Sequence, residues 1–215
     1  MDQPKNQDLH FLPRAVVSFG NRSFDRMAMA FARLKIRPNS LTVAGLSAGA
    51  AGGAFLAFAR PIPAFIALLL CGIFDIVDGR VASRTNAATR FGALLDSSLD
   101  RYSEFFLYAG LACYFQGRWA SWLAWFAFLG SAMVSYTRAR AEGLGIDCRI
   151  GLMQRRERFL ILGTGVLVGA VLPVFDAAMM IALGLIAFFA NITAIQRILY
   201  VRKADRPNSR KGQDE

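Results

Sequence analysis

The sequence is poor in the residues that most often carry out metal or nucleophilic chemistry. Its 215 residues include one histidine, His10, and three cysteines, Cys71, Cys113 and Cys148. The cysteines do not have the spacing of a metal site, and His10 lies in a polar segment near the N-terminus. We therefore interpret the cysteines as free thiols and expect His10 to be neither a metal ligand nor a base. We also expect no cleavable signal peptide, because no short apolar core precedes a small-residue site.

Charged residues are also scarce, at 19% of the chain, whereas 55% of the residues are hydrophobic. This composition predicts an integral membrane protein rather than a soluble domain. An apolar run of about 20 residues can cross a bilayer as a helix. The sequence contains six such runs, and they cover residues 40–59, 61–82, 91–116, 119–141, 157–174 and 177–200.

The basic residues are distributed unevenly between the connections of these runs. Of the 25 Lys and Arg residues, only Arg60 and Arg118 lie on one predicted side. By the positive-inside rule, both termini and the connections that hold the other 23 face the cytoplasm of the cell membrane. The net charge of +10 therefore does not require a nucleic-acid partner. Part of this charge could attract anionic membrane lipids or phosphorylated substrates.

The segment before the first run has a helical pattern. From Phe24 onward, apolar residues of segment 13–36 recur at steps of three and four among basic residues. This pattern predicts an amphipathic helix on the cytoplasmic membrane surface, which Gly20-Asn21 could interrupt. A plain connector with a solvated face is the alternative. We thus predict an all-α chain in three parts: a polar tail and surface helix (1–38), a six-helix membrane domain (39–201) and a polar cytoplasmic tail (202–215).

Four aspartates stand out in this apolar context. Asp75 and Asp78 are three residues apart and Asp96 and Asp100 are four apart, so each pair shares one face of a helix. Carboxylates close to a bilayer are costly and usually mark a functional site. Mg²⁺ is a natural counter-charge for such a group of carboxylates. A buried salt-bridge network or an ion pathway is the alternative explanation.

Glycines and arginines lie between the two aspartate pairs or directly beside them. Gly79 and Gly92 would allow a ligand or a neighbouring backbone to approach closely. Arginines next to carboxylates are suited to a metal-bound phosphate or diphosphate. The arginines in this segment are Arg80, Arg84, Arg90 and Arg101.

This segment resembles the signature of the CDP-alcohol phosphotransferases, D-x2-D-G-x2-A-R-x8-G-x3-D-x3-D. Seven fixed positions match: Asp75, Asp78, Gly79, Ala82, Gly92, Asp96 and Asp100. Ser83 departs from the signature, because the family has arginine there and Arg84 comes one residue later. The stretch from Pro38 to Thr42 is similar to the P-N-x-L-T segment of the family.

The resemblance implies a fold, a reaction and a set of site residues. In the family, an acceptor hydroxyl attacks the β-phosphorus of a CDP-linked lipid and CMP is released, with two Mg²⁺ ions, or Mn²⁺, on the diphosphate. By position, Asp75, Asp78, Asp96 and Asp100 bind metal, and Asp100 is also the general base. We hypothesise that Arg84 or Arg80 compensates for Ser83. Six spans and a homodimer are expected. The positions expected to bind the CDP-lipid are Asn39, Gly79, Ala82, Ser83, Arg84, Thr89 and Gly92.

The second half of the chain contains a pattern that indicates which acceptor is used. The stretch from Ser135 to Gly145 and the later Glu157-Arg158 resemble the phosphatidylinositol-phosphate synthase branch. That branch transfers the lipid group of CDP-diacylglycerol or CDP-archaeol to inositol 1-phosphate. The arginines expected to hold the acceptor phosphate are Arg138, Arg140, Arg158 and Arg197.

Other interpretations of the second half remain open. The four arginines could instead only set the topology or bind lipid headgroups. Glycerol 3-phosphate or another polar alcohol is the alternative acceptor. A carboxylate-lined cation transporter is the alternative from a different class of protein.

Overall fold

The computed structural model describes residues 14–205, with side chains from residue 20 onward. Residues 14–205 fold entirely into helices and their short connections, which confirms the prediction of an all-α chain. His10, the rest of the N-terminal tail and residues 206–215 lie outside the described residues. The helices are α1 (Arg14–Arg33), α2 (Pro38–Ala57), α3 (Pro61–Arg84), α4 (Arg90–Tyr114), α5 (Ala120–Gly143), α6 (Arg155–Val171) and α7 (Phe175–Ala204).

The helices begin where the sequence supplies suitable caps. Pro38 and Pro61 occupy the first position of α2 and α3, where the missing N–H of proline costs no intrahelical hydrogen bond. Thr89 caps α4, since its hydroxyl accepts a hydrogen bond of 2.9 Å from the backbone N–H of Gly92. Gln154 and Glu157 form a reciprocal capping box at the start of α6.

Helices α2 to α7 coincide with the six predicted apolar runs, with ends that differ by a few residues. Three of them, α2, α3 and α7, are long and apolar enough to cross a membrane. The others are less apolar or shorter. Helix α4 carries charged residues, α5 contains several Trp and Ser residues and ends in charged residues, and α6 has only 17 residues. The count of six spans and the cytoplasmic location of the termini therefore stay predictions.

The six helices pack in a closed circuit. Helix α2 contacts α3, α3 contacts α6, α6 contacts α7, α7 contacts α5, α5 contacts α4, and α4 returns to α2. Large apolar side chains such as Phe58, Trp122 and Phe188 remain exposed on the outside of the bundle. An apolar exterior of this kind suits a lipid environment.

Helices α2 and α4 approach each other most closely at glycines. A Cβ atom on Gly53 would lie 2.1 Å from the carbonyl oxygen of Phe106, and one on Gly110 would lie 2.0 Å from the carbonyl oxygen of Gly53. A Cβ atom on Gly49 would lie 2.8 Å from Cβ of Ser103. Small residues at a four-residue spacing allow this backbone contact between membrane helices. The contact fixes the N-terminal end of α2 beside the aspartates of α4.

Helix α1 packs against the outside of this bundle. It runs without interruption through Gly20-Asn21, so the suggested break there was wrong. Ala28 is fully buried, and its apolar neighbours Phe24 and Phe31 pack with it against Val77 and Val81 of α3. The amphipathic pattern is thus confirmed, and much of its apolar face covers α3. The location of α1 along a membrane surface stays a prediction.

The glycine contact predicts that two glycine-to-alanine substitutions change the free energy of unfolding by very different amounts. Gly53→Ala should lower the free energy of unfolding by roughly 1–3 kcal/mol, because its methyl group meets the backbone of α4. Gly184→Ala in α7 meets no atom within 4 Å and should be neutral or raise that free energy by about 0.5–1 kcal/mol. Thermal unfolding of the two purified variants in detergent measures the difference. Equal unfolding temperatures would contradict the close contact.

Candidate active site where α3 meets α4

The four aspartates converge although they come from two helices. Asp75 and Asp78 lie near the C-terminal end of α3, and Asp96 and Asp100 lie near the N-terminal end of α4. One carboxylate oxygen each of Asp75, Asp96 and Asp100 lies within 4.8 Å of the others. All four aspartates line a recess of about 10 Å³, close to the space that one water molecule needs. We call this recess the aspartate recess.

A threonine of α2 orients one of the aspartates. The hydroxyl of Thr42 donates a hydrogen bond of 2.7 Å to Oδ2 of Asp78, and both side chains are buried. Thr42 reaches Asp78 because α2 also packs closely against α3, where a Cβ atom on Gly45 would lie 3.4 Å from Cβ of Phe74. The bond leaves Asp78 with a fixed rotamer at the edge of the aspartate recess.

Arg155, the first residue of α6, lies between the aspartates. Its Nη1 is 2.9 Å from Oδ1 of Asp75 and 2.6 Å from Oδ2 of Asp100. Glu104, one helical turn beyond Asp100, has an oxygen 3.8 Å from Nε of Arg155 and 2.9 Å from Nη2 of Arg158. Two arginines of α6 thus contact three acidic residues in and beside the aspartate recess.

The aspartate recess fits a divalent cation. Among the described residues, no group donates a hydrogen bond to the buried Oδ1 of Asp96. A buried carboxylate oxygen without a partner is costly, and a metal ion would supply the missing interaction. Clustered carboxylate oxygens are the ligands that Mg²⁺ and Mn²⁺ prefer. Asp75, Asp96 and Asp100 would be within reach of a single ion.

One cavity opens on the α2 side of the aspartates. It has a volume of about 230 Å³ and includes Asp78 and Asp96 in its wall. A Cβ atom on Gly79 would meet nothing within 4 Å, so close helix packing does not explain this glycine. We call it the glycine-lined cavity. Five of the residues expected to bind the CDP-lipid line it, namely Asn39, Gly79, Ala82, Thr89 and Gly92.

Ser83 and Arg84, the other two residues of that set, are exposed and not in the wall of the glycine-lined cavity. Arg84 and Arg80 contact Asp25 of α1, at 3.2 Å and 2.9 Å. Hydrogen bonds from Arg84 and Arg80 lower the pKa of the Asp25 carboxyl. Both arginines are therefore turned toward α1, and the geometry does not favour their proposed compensation for Ser83.

A second, more basic cavity opens on the other side of Asp100. Its volume is about 530 Å³, and Arg138, Arg158 and Arg197 line it. Arg140, the fourth expected arginine, is exposed and not in this wall. Arg158 is only 2% exposed, yet its Nε and Nη1 have no hydrogen-bond partner among the described residues. A buried guanidinium with two unused donors is suited to an anion. We call this space the basic cavity.

The sequence pattern did not single out three residues of this site. Thr42 belongs to the Pro38–Thr42 stretch, which resembles the family segment as a whole, and no motif in the sequence indicates Arg155. Glu104 continues the four-residue spacing of Asp96 and Asp100, which was a usable pattern on a helix face. The contact of Arg155 with Asp75 joins residues 80 positions apart, so no local pattern indicates it.

Comparison with known proteins defines the class of enzyme. The sequence profile of the CDP-alcohol phosphatidyltransferases matches residues 35–201. The chain therefore belongs to this family, and it is a membrane-bound transferase of phospholipid synthesis. The resemblance drawn from the aspartate signature is confirmed.

Relatives within the family indicate the branch. The chain is 38% identical to archaetidylinositol phosphate synthase of Methanothermobacter thermautotrophicus over 79% of this chain and 85% of that protein. Its fold is similar to a crystal structure of Mycobacterium tuberculosis phosphatidylinositol phosphate synthase with CDP-DAG bound. That comparison gives a TM-score of 0.76 and 28% identity, and covers 84% of this chain and 94% of the other. The same enzyme in complex with manganese and citrate gives a TM-score of 0.76 at 26% identity, covering 83% and 88%.

The Thr42 contact generates a prediction. Thr42→Val keeps the volume but removes the donor to Asp78, so the dissociation constant for Mn²⁺ should rise ~10–100-fold, the usual effect of losing a residue that orients a ligand. Thr42→Ser keeps the hydroxyl and should restore most of the affinity. Calorimetric titration of Mn²⁺ into the purified variants measures this. Wild-type affinity in Thr42→Val would contradict an orienting role.

Proposed function

We propose that this enzyme transfers the phosphatidyl-type group of a CDP-lipid to inositol 1-phosphate and releases CMP. One observation supports inositol 1-phosphate as the acceptor. Arg158 is buried at the wall of the basic cavity with two donors unused, next to the aspartate recess. An acceptor that carries its own phosphate would satisfy these donors, whereas an uncharged alcohol would leave them unsatisfied.

The proposed reaction is a substitution at phosphorus. The acceptor hydroxyl oxygen forms a bond to the β-phosphorus of the CDP-lipid, and the bond from that phosphorus to the oxygen of CMP breaks. The proton of the hydroxyl passes to the carboxylate of Asp100. This residue suits the role of base because it lies both in the aspartate recess and in the wall of the basic cavity.

The aspartates are the proposed ligands of the divalent cation. Asp75, Asp96 and Asp100 provide the converging oxygens, and Asp78 lies at the same recess with its rotamer fixed by Thr42. When bound, the cation would neutralise the diphosphate and stabilise charge on the leaving oxygen. Two ions, with Mg²⁺ as the natural metal and Mn²⁺ as a substitute, are part of the proposal.

The CDP-lipid is proposed to occupy the glycine-lined cavity. Gly79 leaves open space on the helix face that also carries Asp75 and Asp78, so a nucleotide can lie against the backbone there. Asn39 and Thr89 supply polar side chains in the same wall. This arrangement places the donor substrate on one side of the aspartates and the acceptor on the other.

Acceptor recognition is proposed to use the basic cavity. Arg138, Arg158 and Arg197 would hold the phosphate group. Ser135, Glu104, Glu142 and Gln154 line the same space and offer polar groups to ring hydroxyls. This combination of cations for a phosphate and acceptors for several hydroxyls favours inositol 1-phosphate over the smaller glycerol 3-phosphate.

The position of the charges supports the proposed orientation in the membrane. The aspartate recess and the basic cavity lie at one end of the bundle, together with the arginines between Arg80 and Arg101 and between Arg138 and Arg158. Arg118 pairs with Asp176 at the other end. We propose that the site faces the cytoplasm of the cell membrane, with six spans and both termini on that side. The homodimer stays a prediction from the family resemblance.

The reaction is tested directly by product analysis. Purified enzyme is incubated with CDP-diacylglycerol and Mg²⁺, and with either inositol 1-phosphate or glycerol 3-phosphate. We expect CMP release and a phosphatidylinositol phosphate, identified by mass spectrometry, only with inositol 1-phosphate. Consumption of glycerol 3-phosphate alone would refute the acceptor assignment. Absence of CMP release with either acceptor, with an authentic synthase active in parallel, would refute the donor assignment.

The role of Arg158 predicts a selective kinetic defect. Arg158→Lys retains the charge beside Glu104 but loses the planar fork, so the KM for inositol 1-phosphate should rise roughly 10-fold or more, the equivalent of one charge-assisted hydrogen bond. The KM for the CDP-lipid should stay unchanged, because Arg158 does not line the glycine-lined cavity. Arg149→Lys, at an exposed residue of the preceding loop, is the matched control. Equal changes in both KM values would argue for a general structural defect instead.

A further inference from the structure

Arg155 occupies a position that a bound metal ion would also need. Its Nη1 lies within 3 Å of carboxylate oxygens of both Asp75 and Asp100, at 2.9 and 2.6 Å. These two residues, with Asp96, are the ones whose oxygens converge closely enough to share one ion. The guanidinium therefore binds the same groups that a divalent cation would need.

The Arg155 guanidinium and a divalent metal ion cannot both bind these carboxylates. A divalent ion such as Mg²⁺ requires oxygen ligands at about 2.0–2.1 Å. A guanidinium in hydrogen-bond contact with those carboxylates would then lie a few ångströms from the ion, where like charges repel strongly. Conversely, the converging carboxylates repel one another when neither cation is present. Arg155 supplies the positive charge that stabilises the cluster without metal.

The side chain of Arg155 can also extend into the basic cavity. Its side chain is 34% exposed and lines the basic cavity as well as contacting the aspartates. Glu104, 3.8 Å from Nε of Arg155, lies on the side of that cavity and offers an alternative partner. A modest rotation of the side chain would transfer the guanidinium from the aspartates to the basic cavity.

We propose that Arg155 is an internal counter-ion of the aspartate recess, which the metal displaces into the basic cavity, where it binds the acceptor phosphate. Arg155 thus links the aspartate recess and the basic cavity. Metal binding frees a cation for the acceptor, and by reciprocity a bound acceptor phosphate raises the affinity for metal. The second half of this proposal rests on the proposed function, because it requires an acceptor that carries a phosphate group.

The first experiment uses metal alone. Mn²⁺ binding to the full-length purified protein is followed by electron paramagnetic resonance in the absence of substrates. Arg155→Met should bind Mn²⁺ more tightly than wild type, by on the order of 10-fold, which is within the usual range for coupled sites. Arg155→Lys, which keeps the charge, should lie close to wild type. Arg149→Met, which removes a charge from an exposed residue of the preceding loop, should not differ from wild type.

A second measurement separates displacement from a folding defect. In metal-free buffer, Arg155→Met should unfold at a lower temperature than wild type, because the aspartates have lost their counter-ion. Saturating Mn²⁺ should bring the two proteins to similar unfolding temperatures. If Arg155→Met binds Mn²⁺ with wild-type or weaker affinity while remaining folded, the proposal of a displaced counter-ion is overturned.

The coupling is tested with the acceptor. In wild type, Mn²⁺ should increase the affinity for inositol 1-phosphate by several-fold, and in Arg155→Met this increase should disappear. Tighter Mn²⁺ binding with the coupling retained would overturn the transfer of Arg155 to the basic cavity. If glycerol 3-phosphate shows the coupling and inositol 1-phosphate does not, the proposed acceptor fails and the role of Arg155 stands.

Discussion

Mutual repulsion among the carboxylates of the aspartate recess is the constraint on which the rest of the site depends. Three of the four aspartates place oxygens within 4.8 Å of one another, in a bundle whose exterior is apolar. Such a cluster is stable only with positive charge close by. Arg155 provides it in the structure described here, and a divalent cation would provide more of it. The chain belongs to a family of metal-using transferases, and the need to bind metal explains why the protein keeps these mutually repelling carboxylates.

The positions of the aspartates in turn depend on close helix packing. Gly53 and Gly110 allow the backbones of α2 and α4 to touch, and the packing of α2 against α3 places Thr42 against Asp78. Helix α6 packs against α3 and places Arg155 against Asp75 and Asp100, while Arg158 contacts Glu104 in the wall of the basic cavity. The glycine-lined cavity and the basic cavity both border this acidic cluster, and this arrangement suits the proposed transfer between a donor and an acceptor.

Local sequence patterns predicted much of this architecture. The apolar runs marked helices α2 to α7, and the spacing of the four aspartates marked the recess, because both features repeat within one or two helical turns. The contact of Arg155 with Asp75 was not predictable in this way, since it depends on the packing of α3 against α6. The same holds for Arg80 and Arg84, whose contact with Asp25 depends on the docking of α1. Sequence spacing gave no means to choose between that contact and the diphosphate.

We expect Asp75, Asp96 and Asp100 to hold a divalent cation in the place that the Arg155 guanidinium occupies in the structure. Anomalous X-ray diffraction from crystals of the protein grown with Mn²⁺ tests it most directly. We predict a manganese peak within coordination distance of Asp75, Asp96 and Asp100, with the Arg155 guanidinium moved away from these carboxylates. A fully occupied manganese site elsewhere in the molecule, with Arg155 still between Asp75 and Asp100, would contradict the account.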